Sequence, residues 1–169
     1  MQSRISQTTI ALKGDYASLD RATSGRMTLW FTALPLIEDN WINGVGARGF
    51  RYAYPKYAPT NDRFLRGEGD EKTGAYHAHQ IVLEVLAETG VIGLVDYLLA
   101  LVILGALVKR PCLRKNYLGM AFVASSLAVL FPLNSHLSLY ASAWAQAIWI
   151  LFAITVASVF SEAETFDRP

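Results

Sequence analysis

The pattern of hydrophobic and polar positions divides the chain into a polar half and an apolar half. Three stretches are almost entirely apolar: residues 91–108, 117–133 and 137–160. A helix needs about 20 mostly apolar residues to cross a membrane, so this pattern predicts three transmembrane helices. Residues 1–90 have no comparable stretch, and they are predicted to form a long loop region that contains short helices.

Two short helices are predicted within the loop region. The first follows Ser24, a candidate N-cap, and its apolar side chains share one helical stripe: Met27, Trp30, Leu34 and Ile37. Pro35 is expected to kink or end this helix. The second helix covers residues 80–87, and Gly90 is expected to break it just before the first apolar stretch.

The composition favours a membrane protein. Apolar residues make up 53% of the chain and charged residues 17%, against about 45–50% and about 25% in average soluble domains. The formal net charge is only +1, which argues against a surface for nucleic acids or other polyanions. The predicted fold class is therefore an all-α integral membrane protein, with about three transmembrane helices after a long, partly helical loop.

The distribution of basic residues predicts the orientation of this protein. The short loop at residues 109–116 contains four basic residues and no acidic residue, so the positive-inside rule places it in the cytoplasm. Residues 1–90 then lie on the outer side, residues 134–136 form an outer turn, and residues 161–169 form a cytoplasmic tail. An inverted topology is the alternative, and the basic loop opposes it.

The N-terminus raises the question of how the loop region crosses the membrane. Residues 1–80 have neither the basic segment nor the apolar segment of a signal peptide. We therefore expect the chain to be the C-terminal part of a longer multi-span protein, or a shortened relative of one. Cys112 is the single cysteine, which excludes an intrachain disulfide and a cysteine-rich metal site.

A glycine-rich segment at residues 44–49 formally matches a dinucleotide-binding fingerprint. That fingerprint requires a strand before it and a helix after it, and here a polar turn precedes it and Pro55 follows closely. Closely spaced glycines still allow backbone N–H groups to converge on an anion, and Arg48 and Arg51 lie beside them. An ordinary turn is the alternative interpretation.

Two histidines lie just before the second predicted helix. A neutral imidazole at a helix start suits general-base catalysis, because the unperturbed pKa of histidine is about 6.5 and the helix N-terminus lowers it. His79 is therefore a candidate base. His77 and His79 could instead bind zinc, although Glu84 is the single nearby third ligand and zinc sites usually need at least three protein ligands.

These segments resemble the O-antigen ligase and polymerase family of bacterial envelope enzymes. The first similar segment runs from Arg26 and Trp30 through an acidic turn at residues 38–40 to Gly-Val-Gly at residues 44–46 and an aromatic residue, Phe50. The second is a His-Gln pair followed by spaced leucine, glutamate and glycine residues before a membrane span: His79, Gln80, Leu83, Glu88, Gly90, Gly93 and Leu94. The family more often has Asn where Gln80 stands.

The resemblance implies a function. Members of this family transfer a glycan from an undecaprenyl diphosphate carrier to a lipid A-core or saccharide acceptor. They act at the periplasmic face of the bacterial inner membrane, as multi-pass enzymes without a metal or another cofactor. Residues 1–90 would then be a periplasmic loop region. The implied roles are His79 as catalytic base and Arg26 as a cation that faces the diphosphate. Arg48 and Arg51, beside the glycine-rich segment, are further candidate diphosphate-binding residues. The candidate supporting residues are Trp30, Gln80 and Glu88.

Two alternatives accompany this interpretation. A polysaccharide polymerase of the same family uses the same donor and differs in its acceptor. A non-catalytic membrane transporter or binding subunit would use the loop region together with Asp96, an acidic residue within the first predicted span. Trp144 and Trp149 are expected to pack or to lie at the membrane interface rather than bind sugars. The transferase interpretation expects Arg26 and His79 to share a cavity at the membrane surface.

Overall fold

The chain folds almost entirely into helices in the computed structural model, which describes residues 16–67, 69, 72–109, 116–135 and 138–161. The α-helices are α1 (Tyr16–Ala22), α2 (Arg26–Asp39), α3 (Phe50–Ala53), α4 (Ile81–Val108), α5 (Tyr117–Val129) and α6 (Ser142–Ser161), with a 3₁₀ turn at Tyr54–Lys56. Within the described ranges no β-strand occurs, only an isolated bridge between Arg66 and Thr73. The mostly helical fold predicted from the sequence is confirmed.

Helix α2 differs from its prediction at its start and on its buried face. The residue before it is Gly25, with φ 86°, and no side-chain cap is formed there, so the Ser24 cap is wrong. Instead, Asp20 of α1 accepts the backbone N–H of Thr28 at 2.9 Å and pairs with Arg63 at 3.1 Å. Pro35 lies inside the helix without ending it.

The buried face of α2 is also not the predicted stripe. Three apolar residues and a threonine are buried instead: Leu29, Thr32, Ala33 and Leu36. Leu34 is 52% exposed. The helix has apolar residues on most sides, so several stripes fit the helical period equally well and only the neighbouring elements select one.

Helix α4 begins at Ile81, one residue after the predicted start of the second short helix, and Gln80 caps it. The Gln80 side chain accepts the backbone N–H of Leu83 at 2.6 Å. The helix continues to Val108, but Gly90 interrupts it with φ 65° and ψ −160°. The predicted break at Gly90 is confirmed, and the short helix and first apolar stretch are two parts of one element.

The loop after α2 provides partners for the backbone groups at this break. Val45 and Gly46 donate their N–H groups to the carbonyls of Ala87 and Glu88, each at 2.9 Å. The N–H of Val91 bonds the carbonyl of Trp41 at 2.8 Å. A helix interruption in an apolar environment is stable only when its backbone groups are satisfied in this way. The break therefore locks the polar half of the chain onto the apolar half.

Replacing Gly90 with alanine should destabilise the protein. Its backbone conformation is nearly exclusive to glycine, and an added Cβ would lie 2.2 Å from the Ile42 carbonyl oxygen. We expect the free energy of unfolding to fall by about 2 kcal/mol or more in Gly90→Ala. Thermal unfolding in detergent measures this. Gly105→Ala is the control, because open space surrounds Gly105; equal behaviour of the two variants would contradict the account.

Helices α4, α5 and α6 form the apolar half. Leu104 and Val123 are fully buried, and Ser126 and Thr155 share a buried hydrogen bond of 3.0 Å between α5 and α6. Helix α4 is long and apolar enough to cross a membrane, whereas α5 and residues Ser142–Ser158 of α6 are shorter apolar helices within the described residues. One candidate span is thus found where three are predicted, and the number of spans remains a prediction.

The second and third predicted spans begin or end differently from the helices. Helix α5 ends at Val129 rather than at residue 133, and its 13 residues extend only about 20 Å. Helix α6 starts at Ser142 rather than at residue 137. Pro132 and the short turns around it explain the loss of helix between them. The described residues do not include residues 110–115, which contain Cys112. They also do not include His136 or most of the tail.

Candidate functional site

A cavity of about 320 Å³ lies where the loop region meets the start of α6. Four separate parts of the chain form its wall: the turn and start of α3, the segment before α4, α4 itself, and the segment leading into α6. They contribute Arg48, Arg51, Tyr76, His77, Glu88, Ser138, Ala141, Ser142 and Trp144. Three of the predicted site residues, Arg48, Arg51 and Glu88, are therefore brought together.

Glu88 organises the arginine side of this cavity. It is 1% exposed, and its carboxylate accepts the backbone N–H of Arg48 at 2.5 Å and also interacts with the backbone N–H of Phe50. The sequence predicts backbone N–H groups that converge on an anion, and here that anion is the protein's own carboxylate. The N–H groups of Val45 and Gly46 instead bond α4 carbonyls, so a ligand would meet the arginine side chains rather than this backbone.

Neither Arg48 nor Arg51 forms an ion pair within the described residues, although the buried Glu88 carboxylate interacts electrostatically with both. The ion pairs found within the described ranges are Lys56–Asp39 and Arg63–Asp20, and neither involves Arg48 or Arg51. Arg48, with φ 61°, places a guanidinium N–H 3.2 Å from the Ser142 hydroxyl. The cavity wall therefore carries two cationic groups that a bound anion could engage.

Arg51 is oriented by aromatic rings. Its guanidinium lies 4.5 Å from the ring centroid of Tyr52 and 5.8 Å from that of Tyr76, and it donates to the Tyr52 hydroxyl at 2.6 Å. Its buried Nε has no hydrogen-bond partner among the described residues. Stacking restricts the planar guanidinium to one orientation, which reduces the entropy lost when it binds a ligand.

Two adjacent histidines differ in their relation to the cavity. His77 lines it, whereas His79, with φ 52°, does not. Their ring centroids are 4.0 Å apart. Burial, together with the nearby His79, lowers the pKa of His77 to about 4, so this ring is neutral at neutral pH. His77 was predicted only as a zinc ligand; its position two residues before His79 is the sequence signal that indicates it.

The lowered pKa of His77 predicts a dependence of stability on pH. The unfolded chain binds a proton near pH 6.5 and the folded protein only near pH 4, so acid favours unfolding across this window. We expect the free energy of unfolding to be highest above pH 6.5 and to fall as the pH is lowered to 4. Urea titrations at a series of pH values measure this free energy, and in His77→Gln it should decline less steeply as the pH is lowered. An equal slope in both proteins would contradict a neutral, buried His77.

The remaining predicted residues support the site from outside the cavity. The indole N–H of Trp30 donates to the Ala78 carbonyl at 3.1 Å, which fixes the segment between the two histidines to α2. The Gln80 amide donates to the Pro132 carbonyl at 2.9 Å. Arg26 lies one helical turn before Trp30, and neither Arg26 nor His79 lines the cavity. The expected shared cavity for this pair is therefore not seen there.

The zinc alternative receives no support from the geometry. No group of three or more His, Cys, Asp or Glu side chains converges within the part of the chain that the structure describes. Glu84, the proposed third ligand, is fully buried and accepts a hydrogen bond from the Ser138 hydroxyl at 2.5 Å. Asp96, the acid of the transporter alternative, lies exposed on α4 and does not line the cavity.

The segment from Ser138 to Trp144 is the part of the site that the sequence did not indicate. Hydrogen bonds to α4 hold it in place: Ser138 to Glu84, and Tyr140 to Thr89 at 2.8 Å. Trp144, which was predicted to pack or to lie at the membrane interface, is 48% exposed and lines the cavity. The α4 residues that Ser138 and Tyr140 contact are more than 50 positions away along the chain, so no local pattern could identify this segment.

Comparison with known proteins identifies the family. The family model described as O-antigen ligase matches residues 1–98, which include Arg26, Arg48, Arg51, His79 and Glu88. Neither a curated protein nor a solved structure matches the chain. The family is membrane-associated, in agreement with the exposed apolar helix α4. Because the match covers 98 of 169 residues, more than half of the chain, the protein belongs to the O-antigen ligase family.

Proposed function

We propose that the protein transfers a glycan from an undecaprenyl diphosphate carrier to a lipid A-core or saccharide acceptor. The reaction takes place at the periplasmic face of the bacterial inner membrane, with the chain inserted as a multi-pass protein of three transmembrane helices. Family membership supports glycan transfer in general. The observation that carries the specific proposal is the cavity with Arg48 and Arg51 beside the His77–His79 segment.

The chemistry of a lipid-linked donor suits this cavity. A diphosphate carries its negative charge on the oxygens of two tetrahedral phosphate groups, and the planar guanidinium of arginine binds such oxygens in pairs. Arg48 and Arg51 form no ion pair among the described residues, so their guanidinium groups can pair with such a group. The cavity volume of about 320 Å³ is at the lower end of ordinary small-molecule sites. We therefore assign the diphosphate to the arginine side.

The proposed reaction is a single displacement at the anomeric carbon. His79 lies beside the cavity, with its ring centroid 4.0 Å from that of the cavity-lining His77. From there it takes the proton from an acceptor hydroxyl, and that oxygen forms the new bond to the anomeric carbon of the donor glycan. The bond between this carbon and the diphosphate oxygen breaks, and its electron pair leaves with the diphosphate. Arg48 and Arg51 stabilise the charge of that leaving group.

A neutral His77 does not oppose protonation of His79. When His79 accepts the proton it becomes a cation, and a second cation at a centroid distance of 4.0 Å would oppose this change. Burial keeps the pKa of His77 near 4, so at neutral pH it adds no such charge. Trp30, Gln80 and Glu88 hold the backbone of the site in place through the hydrogen bonds described above.

Arg26 has a secondary place in this proposal. It stands at the start of α2 and outside the cavity, so we assign it to the carrier diphosphate at longer range. Its removal is therefore expected to weaken transfer less than removal of Arg51.

A transfer assay tests the proposed function. Membranes containing the protein are supplied with a radiolabelled undecaprenyl diphosphate glycan and with lipid A-core. The proposal expects labelled lipid A-core and release of free undecaprenyl diphosphate in equal amounts. Labelled glycan chains of increasing length, without label on lipid A-core, would identify a polymerase instead. Donor that binds but is never cleaved would indicate the non-catalytic alternative and contradict the proposal.

A further inference from the structure

Part of the cavity wall differs from the arginines in chemistry. It combines two exposed aromatic rings, Tyr76 and Trp144, with the hydroxyl of Ser138. We propose that this wall is a saccharide subsite for the first sugar of the donor glycan. Trp144 stacks on the sugar ring and Ser138 accepts a hydrogen bond from a sugar hydroxyl. This inference rests on the proposed function.

The direction of the Ser138 hydrogen bond determines what this residue can recognise. Its hydroxyl proton is donated to Glu84, whose carboxylate is fully buried behind it. A serine hydroxyl has one proton and two lone pairs, so Ser138 has only acceptor capacity left for a ligand. Sugar hydroxyls are donors of the required kind.

The unsatisfied polar atoms of the protein indicate a polar ligand. Three buried side-chain atoms have no hydrogen-bond partner within the described ranges: Arg51 Nε, His77 Nε2 and Glu84 Oε2. Two of these belong to residues that line the cavity, and the third belongs to the partner of Ser138. Unsatisfied buried polar atoms are uncommon, so their concentration around one cavity favours a ligand rich in hydrogen-bonding groups.

The aromatic residues supply the apolar part of sugar recognition. Trp144 is 48% exposed, and Tyr76 is 60% exposed. Tyr76 is held between Arg51 and Arg66, whose guanidinium carbons lie 5.8 Å and 5.5 Å from its ring centroid. The C–H face of a pyranose ring packs on an electron-rich aromatic ring of this kind. Trp144 also lines the cavity, and its indole ring provides a flat contact surface.

The proximity of the arginines to this part of the wall selects the first sugar rather than a distant one. Arg48 donates to the Ser142 hydroxyl at 3.2 Å, two residues before Trp144, and the Arg51 guanidinium lies 5.8 Å from the ring centroid of Tyr76. The first sugar is bonded directly to the diphosphate, so arginine contact at the diphosphate places that sugar beside these residues. Acceptor sugars have no such link to the arginines.

Binding of two lipid probes to the full protein in nanodiscs tests this subsite. One probe is a polyprenyl diphosphate without sugar, and the other carries a single N-acetylglucosamine on the diphosphate. Trp144→Ala and Ser138→Ala should each weaken binding of the sugar-bearing probe about fivefold to tenfold and leave the sugar-free probe unchanged. Trp144→Tyr keeps an aromatic ring and should remain within about twofold of the wild type.

Matched substitutions outside the cavity serve as controls. Trp149 is exposed on the same helix, and Ser125 is exposed on α5, and neither lines the cavity. Trp149→Ala and Ser125→Ala should bind both probes normally. Equal weakening of both probes by Trp144→Ala, or no effect of either cavity variant, would overturn the subsite while leaving the proposed function intact. Failure of the wild-type protein to bind either probe would overturn both.

Discussion

Replacement of His79 should abolish glycan transfer. General-base catalysis contributes about 100-fold to 10,000-fold to a rate, so we expect His79→Ala to retain less than about 1% of the wild-type rate. The acceptor hydroxyl would otherwise have to attack with its proton still attached. The measurement is release of undecaprenyl diphosphate at saturating donor, at equal protein level.

The backbone at His79 requires a second variant. Its φ of 52° lies in the left-handed region, which alanine tolerates poorly and asparagine tolerates better. His79→Asn therefore preserves the turn while removing the base, and it should be as inactive as His79→Ala. Normal donor binding by His79→Asn would assign the loss to the chemical step. Wild-type transfer by His79→Asn would exclude His79 as the base.

Removal of the Arg51 side chain should weaken donor binding strongly. Hydrogen bonds to charged groups contribute about 1.5–3 kcal/mol, so Arg51→Ala should raise the Kd for a polyprenyl diphosphate about 10-fold to 100-fold. Arg51→Lys keeps the charge but loses the planar guanidinium and its stacking. Its Kd should therefore lie between that of the wild type and that of Arg51→Ala. Equilibrium binding to the protein in nanodiscs gives these values directly.

Arg21→Ala is the matched control for the loss of a positive charge. Arg21 is exposed on α1, and its side chain contacts Ser18 rather than the cavity. Its removal should leave donor binding unchanged at moderate ionic strength, because charges beyond about 10 Å are screened. Equal effects of Arg21→Ala and Arg51→Ala would show a general dependence on charge and would contradict a diphosphate site at Arg51.

The parts of the fold that local patterns control could be predicted from the sequence. Gly90 is followed by a long apolar run, and both its helix break and the helix after it are found. The start at Ile81 follows from Gln80, a polar residue that can accept a backbone N–H. The buried face of α2 could not be predicted, because the helix has apolar residues on most of its sides. Whether Leu29 or Leu34 is buried depends on the neighbouring elements.

Local sequence patterns likewise indicate only a part of the candidate site. Arg48 and Arg51 are indicated by the glycine-rich turn before them, and the structure places both at the cavity. Ser138 reaches the site only because Glu84, 54 positions earlier, accepts its proton. A contact between residues so far apart in the chain cannot be recognised from the local sequence. The resemblance identifies His79 and Arg26 by motif, but motifs give no positions, and His77 is the histidine that lines the cavity.

The break at Gly90 connects the fold to the proposed chemistry. The same few residues of α4 satisfy the Val45 and Gly46 amides and present the Glu88 carboxylate to Arg48. A shift of the loop at residues 41–46 would therefore move the arginines away from the His77–His79 segment. Functional sites in membrane proteins commonly occur at such interrupted helices, where irregular backbone is satisfied by protein.

The most direct test of the central claim is a cryo-electron microscopy structure of the protein with a bound polyprenyl diphosphate sugar. The account predicts diphosphate density within hydrogen-bonding distance of the Arg48 and Arg51 guanidinium groups, with the anomeric carbon facing the His77–His79 segment. Diphosphate density elsewhere on the protein, with both arginines uninvolved, would contradict the account.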